Sequence, residues 1–168
     1  EAGKFSNATL LKSCFDCPSG ESTNHQTGSA SCQKCPAGRY GDNCDECDKG
    51  QYRGSDDTAS ACKRCSTGKY QEQKGQALCL PCVPGKYNDE MGLGHECKLC
   101  EAGKFSNATL LKSCFDCPVG YYQNLEGQAS CLPCLPGEFG NDTCLHTCYK
   151  CAIGKKSEGQ NATTCSVC

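Results

Sequence analysis

Cysteine is the residue through which this chain could do chemistry: it supplies 21 of 168 positions. Twenty of these form ten Cys-x2-Cys pairs, and Cys144 is the one left over. Two chemistries use such pairs: disulfide cross-linking and zinc ligation. Cys14-x2-Cys17 and Cys32-x2-Cys35 are spaced much as in a four-cysteine zinc ribbon. Ribbons use their pairs two at a time, so gaps within and between sites should differ. Here the gaps are nearly uniform. The odd cysteine count and a stretch with three cysteines also suit cross-linking better. The three histidines, His25, His95 and His146, lie apart and without motif context, and read as solvated loop residues. The acidic run Asp42, Asp45, Glu46 and Asp48 lacks the ligand spacing of a calcium loop and reads as a solvated face. No nucleophile–base arrangement or phosphate loop stands out. The expectation is a protein that is not an enzyme and uses no cofactor or metal.

The rest of the composition explains why cross-links are needed. Leu, Ile, Val and Phe together number only 21, and Trp is absent. So little apolar surface cannot offset the ordering entropy of the chain. A bond closing a loop of ~15 residues contributes about 3 kcal/mol through the unfolded state. Such bonds persist in oxidising compartments, which predicts an extracellular protein, secreted or at the cell surface. Net charge is −2 without a basic stripe, which argues against nucleic-acid binding. No apolar run approaches the ~20 residues of a membrane helix.

Cutting after each Cys-x2-Cys divides residues 1–168 into a continuous array of ten modules: 1–17, 18–35, 36–47, 48–65, 66–82, 83–100, 101–117, 118–134, 135–151 and 152–168. The third residue of every module is glycine, which points to a backbone position needing positive φ or close approach. Two residues later stands an aromatic in eight modules: Phe5, Tyr40, Tyr52, Tyr70, Tyr87, Phe105, Tyr122 (next to Tyr121) and Phe139, with Ser22 and Lys156 as departures. Each ring is expected to pack on its module's disulfide in place of a core. Residues 1–18 and 101–118 are identical.

The gap between Cys-x2-Cys pairs suits a short β-hairpin whose ends a disulfide clamps. Pairing across the gap gives Cys17–Cys32, Cys35–Cys44, Cys47–Cys62, Cys65–Cys79, Cys82–Cys97, Cys100–Cys114, Cys117–Cys131 and Cys151–Cys165. Cys134 has two candidates, Cys148 and Cys144; the usual spacing favours Cys148 and leaves Cys144 unpaired or intermolecular. Cys14 and Cys168 then lack partners within the chain but fit each other across a junction of Cys168 with a following Glu1. That junction would leave 13 residues between them, the commonest spacing in the chain, and suggests a segment of a longer array.

Four Asn-x-Thr sequons occur, at Asn7, Asn107, Asn141 and Asn161, the first three at position seven of their modules. N-linked glycans there would project from equivalent hairpin positions and solvate the array.

The phrase Cys-x-x-Gly-x-aromatic followed by a loop and Cys-x2-Cys resembles the ephrin-receptor-like cysteine-rich repeat, an EGF-like class of small module. Cys35-Pro36-Ala37-Gly38-Arg39-Tyr40 and Cys47-Asp48-Lys49-Gly50-Gln51-Tyr52 also resemble the first half-module of tumour necrosis factor receptor domains. The chain strings such units directly, without the receptors' alternating second half-module. In this it is similar to long arrays in protist surface proteins and flagellar hairs. The resemblance implies a disulfide closing each Gly-aromatic hairpin.

The expected fold is small and disulfide-rich, mostly irregular with short β-hairpins: an elongated, solenoid-like rod of tandem cysteine-rich modules, nearly without helix. The expected role is structural, the repeating unit of a glycosylated fibril or stalk whose partners are copies of itself, end to end. The alternative is a ligand-binding receptor or adhesin ectodomain.

Overall fold

The computed structural model describes residues 3–9, 13–18, 20–23, 26–55 and 61–168. It contains ten two-stranded antiparallel sheets with two residues per strand, and no helix among the described residues. By contact the chain divides into two compact units. One comprises Glu1–Leu80 with Glu90–Glu96, the other Pro81–Asp89 with Cys97–Cys168.

The module 101–117 illustrates how sequence dictates the local fold. Lys104 N–H donates to the Glu101 carbonyl at 3.1 Å, and Gly103, at the third position of this turn, has φ +80°. A hydrogen-bonded turn with positive φ at its third residue is type II, which requires glycine there. The turn launches the strand Lys104–Phe105, which pairs with Phe115–Asp116 in the register Lys104↔Asp116 and Phe105↔Phe115. The second strand is therefore the two residues inside Cys-x2-Cys, not a stretch within the loop before it. This placement explains the motif's spacing. Residues three apart on a strand point to opposite faces, so Cys114 bonds backwards to Cys100 while Cys117 bonds forwards to Cys131.

An apolar core is almost absent. Cys47, Cys65, Cys82, Cys100, Cys117 and Cys134 are fully buried, and Leu93 is the one buried aliphatic among the described residues. Around the cystines lies a column of buried polar residues at position six of the modules: Thr23, Arg53, Gln71, Asn88, Ser106, Gln123 and Ser157. Among the described residues no buried side-chain nitrogen or oxygen lacks a hydrogen-bond partner, as low-dielectric burial demands.

Candidate functional sites at the module junctions

Three backbone bonds recur at most of the junctions where a module meets those after it. First, the turn glycine's N–H donates to the position-six carbonyl of the next module: Gly103 to Gln123 at 2.7 Å, Gly120 to Gly140 at 2.8 Å. Second, the position-six N–H donates to a carbonyl in the next module's hairpin tip, as Ser106 to Gln128 at 3.1 Å and Gln123 to Leu145 at 2.9 Å. Third, a tip residue reaches further back. The N–H groups of Gly75, Gly92, Leu110, Gly127, Cys144 and Asn161 donate to the carbonyls of Cys47, Cys65, Cys82, Cys100, Cys117 and Cys134, at 2.7–3.0 Å. All six tip residues have positive φ.

The third bond gives the invariant glycine a second reason. A Cβ on Gly38, Gly50, Gly85, Gly103 or Gly120 would overlap the tip backbone at Gly75, Gly92, Gly127, Cys144 or Asn161, closer than the 3.0 Å that real contacts respect. Nothing lies within 4 Å of the corresponding positions at Gly137 and Gly154.

Position six, which the sequence reading did not single out, holds the junction from the side-chain end. Ser106 Oγ donates to the Lys86 carbonyl at 3.1 Å, and Ser157 Oγ to the Glu138 carbonyl at 2.8 Å. Gln71 and Gln123 brace their own loops instead, each amide donating to a carbonyl seven residues on, Leu78 and Ser130. Arg53 donates to the Arg39 carbonyl at 2.7 Å and to that of Cys35 at 3.3 Å. The signal was present: position six is Ser, Thr, Arg, Gln, Asn or Gly in every module, never an aliphatic or an acid.

The structure contains nine disulfides, joining Cys17–Cys32, Cys35–Cys44, Cys47–Cys62, Cys65–Cys79, Cys82–Cys97, Cys100–Cys114, Cys117–Cys131, Cys134–Cys148 and Cys151–Cys165. These are the pairs that spacing favoured. The four cysteines of the zinc alternative are thus split between two disulfides and the free, exposed Cys14. Cys168 is also free and exposed. Cys144 is free but half-buried, because it occupies the tip position where other modules carry Gly75, Gly92 or Gly127. Burial raises its thiol above the ordinary value, the Asp116 carboxylate adds to the rise, and Lys104 opposes it.

The eight rings at position five are half-buried, not sequestered as a core substitute. Four of them border grooves whose far wall carries a cysteine of the following module: Tyr52 with Cys79, Tyr87 with Cys114, Phe105 with Cys131 and Phe139 with Cys165. Asn7, Asn107, Asn141 and Asn161 are all exposed. The acidic run disperses: Glu46 pairs with Arg39 at 2.7 Å and Asp48 with Lys74 at 2.8 Å. His95 and His146 are exposed, and His25 lies outside the described residues. Among the described residues no group of three or more His, Cys, Asp or Glu is placed to hold a metal ion.

Compared with known families, residues 54–96 and 103–144 match the family described as tyrosine-protein kinase ephrin type A/B receptor-like, and together make up half of the chain. The chain belongs to the ephrin-receptor-like repeat family. Each matched segment contains one complete hairpin disulfide, Cys65–Cys79 or Cys117–Cys131, and ends within a following loop. The family repeat therefore spans more than one module and includes a junction. Ephrin-receptor-like repeats rich in disulfides are typical of extracellular domains, which agrees with the cystine framework. No curated protein matches the chain as a relative. Among the described residues no helix is long and apolar enough to cross a membrane.

Proposed function

We propose that this chain is a structural extracellular glycoprotein, the repeating unit of a disulfide-stapled fibril or stalk, with no catalytic role. The observation that carries this reading is the sameness of the junctions. The bonds between modules run almost wholly from backbone to backbone, so modules add to one another without any new side-chain chemistry. Each module bonds to the next one or two along the chain, and an array held by such short-range contacts gains stability by length. Copies of the chain are the proposed partners, joined where Cys168 meets Cys14. Both thiols are free and exposed, as a linkage between copies requires.

Digestion of native material without reduction, read by mass spectrometry, tests this. The expected product is a pair of peptides from different copies joined by a Cys168–Cys14 disulfide. Free thiols at both cysteines in a discrete monomer overturn the fibril reading. They would favour the receptor or adhesin ectodomain, which the family description itself supports.

A further inference from the structure

The three sequons at position seven share a feature that the fourth lacks. Each reads Phe-x-Asn-x-Thr: Phe5 with Asn7, Phe105 with Asn107, Phe139 with Asn141. The five modules with tyrosine at position five, Tyr40, Tyr52, Tyr70, Tyr87 and Tyr122, have no sequon at position seven. The same three hairpins hold the cross-strand ring pairs: Phe5–Phe15 at 6.0 Å, Phe105–Phe115 at 5.8 Å and Phe139–Tyr149 at 5.6 Å. The outer ring of each pair is about half exposed, Phe115 at 48 % and Tyr149 at 49 %. Asn107 and Phe105 line one groove, of about 220 Å³, together with Cys131 of the next module. Asn141 and Phe139 line its counterpart, of about 350 Å³, with Cys165.

From this geometry we infer that the N-glycans of Asn107 and Asn141 do not simply project into solvent: the first N-acetylglucosamine of each folds back into the junction groove and lies on the phenylalanine two residues before. The inference rests on the glycoprotein reading above. The Asn side-chain nitrogen bonds to the anomeric carbon of the sugar. A lipid-diphosphate carrier leaves from that carbon, and the amide proton is lost to solvent. The sugar's C–H face is electron-poor and the ring face electron-rich, so the two attract as an edge attracts a face between aromatics. Phe105 and Asn107 line the same groove, as do Phe139 and Asn141, so the attached sugar starts beside the ring. The cross-strand ring lies against the phenylalanine at a tilt, 45° in the Phe105–Phe115 pair and 42° in the Phe139–Tyr149 pair. Two residues before Asn161 stands Gly159, so its glycan has no phenylalanine at that spacing.

The test uses the full chain from a glycosylating secretory host, grown with 13C-labelled sugar. Intact mass gives occupancy, and the carbon–proton spectrum gives the environment of each first sugar. The expected result is upfield-shifted protons on the sugars of Asn107 and Asn141 and ordinary positions on that of Asn161. Trimming to a single N-acetylglucosamine should leave the shifts in place. Phe105→Leu should abolish them at Asn107 alone, with the protein still occupied there. In amide exchange, Thr109→Ala, which removes the sequon and leaves both rings, should speed exchange in the Phe105 strand about fivefold. Thr163→Ala should not change exchange around Asn161. Occupied sites with unshifted sugars overturn the stacking and leave the glycoprotein reading intact. Empty sites at all four asparagines overturn both.

Discussion

Residues 1–18 and 101–118 have one sequence in two settings. The hairpins agree in detail: Lys4↔Asp16 and Phe5↔Phe15 in one, Lys104↔Asp116 and Phe105↔Phe115 in the other. Their surroundings differ. Gly103 donates to the Gln123 carbonyl and is covered by the Cys144 tip. Gly3 donates instead to the Thr23 hydroxyl. The nearest atom to a Cβ on Gly3 is the Asp42 carbonyl oxygen at 3.6 Å, an ordinary contact. The cause is the short module 36–47. Its disulfide, Cys35–Cys44, spans nine residues in place of 14 or 15. Its tip bonds internally, Cys44 N–H donating to the Gly41 carbonyl at 3.3 Å. The hairpin is thus fixed by local sequence, while the cover over the glycine belongs to the module two places on.

The strongest way to break this comparison is to substitute the two glycines alike. Both lie at positive φ, which costs a side chain about 1–2 kcal/mol. Gly3→Ala should cost no more than that. Gly103→Ala must also displace the Cys144 backbone, so its total should reach at least about 3 kcal/mol. Amide exchange at Cys117 and Cys144 checks this, and equal losses at the two glycines would mean that tip contact carries no energy. Next in size is Arg53, buried and donating to Cys35 and Arg39 on the short module. Arg53→Met leaves those carbonyls without this donor and should cost about 2 kcal/mol, sensed around residues 36–47.

The thiols offer a smaller contrast. Cys14 is free and exposed where its twin Cys114 is in a disulfide, while Cys144 is half-buried with a raised pKa. Since the thiolate is the reactive form, Cys144 should alkylate at least about tenfold more slowly than Cys14 near pH 8. Its rate should still be climbing with pH above the ordinary thiol range. Smallest is the surface pair Lys104–Asp116 at 3.1 Å, which raises the lysine above its ordinary value. The sign places its contribution below the ordinary lysine pKa, fading as pH rises through the raised one. Lys104→Met should leave thermal stability near neutral pH unchanged, as exposed pairs usually do.

Much of this was legible from residue type and spacing. Ten glycines at one position required a special backbone, and uniform gaps required hairpin disulfides. The side to which each cysteine turns was not, because it depends on the strand falling inside Cys-x2-Cys. Position six was overlooked because Ser106, Gln123 and Arg53 look like loop residues until burial shows them supporting a junction. The role of Cys144 as a tip residue was hidden for a related reason: what matters at that site is backbone conformation, and glycine, leucine, asparagine and cysteine all serve.

That indifference has an evolutionary consequence. Because one module grips another through main-chain groups, a gene segment cut at module boundaries encodes a part that fits almost anywhere in the array. Residues 1–18 and 101–118 form the same hairpin beside neighbours with different side chains. Such a gene can lengthen or shorten by recombination while its product keeps folding, and point mutation then has whole spare modules on which to work.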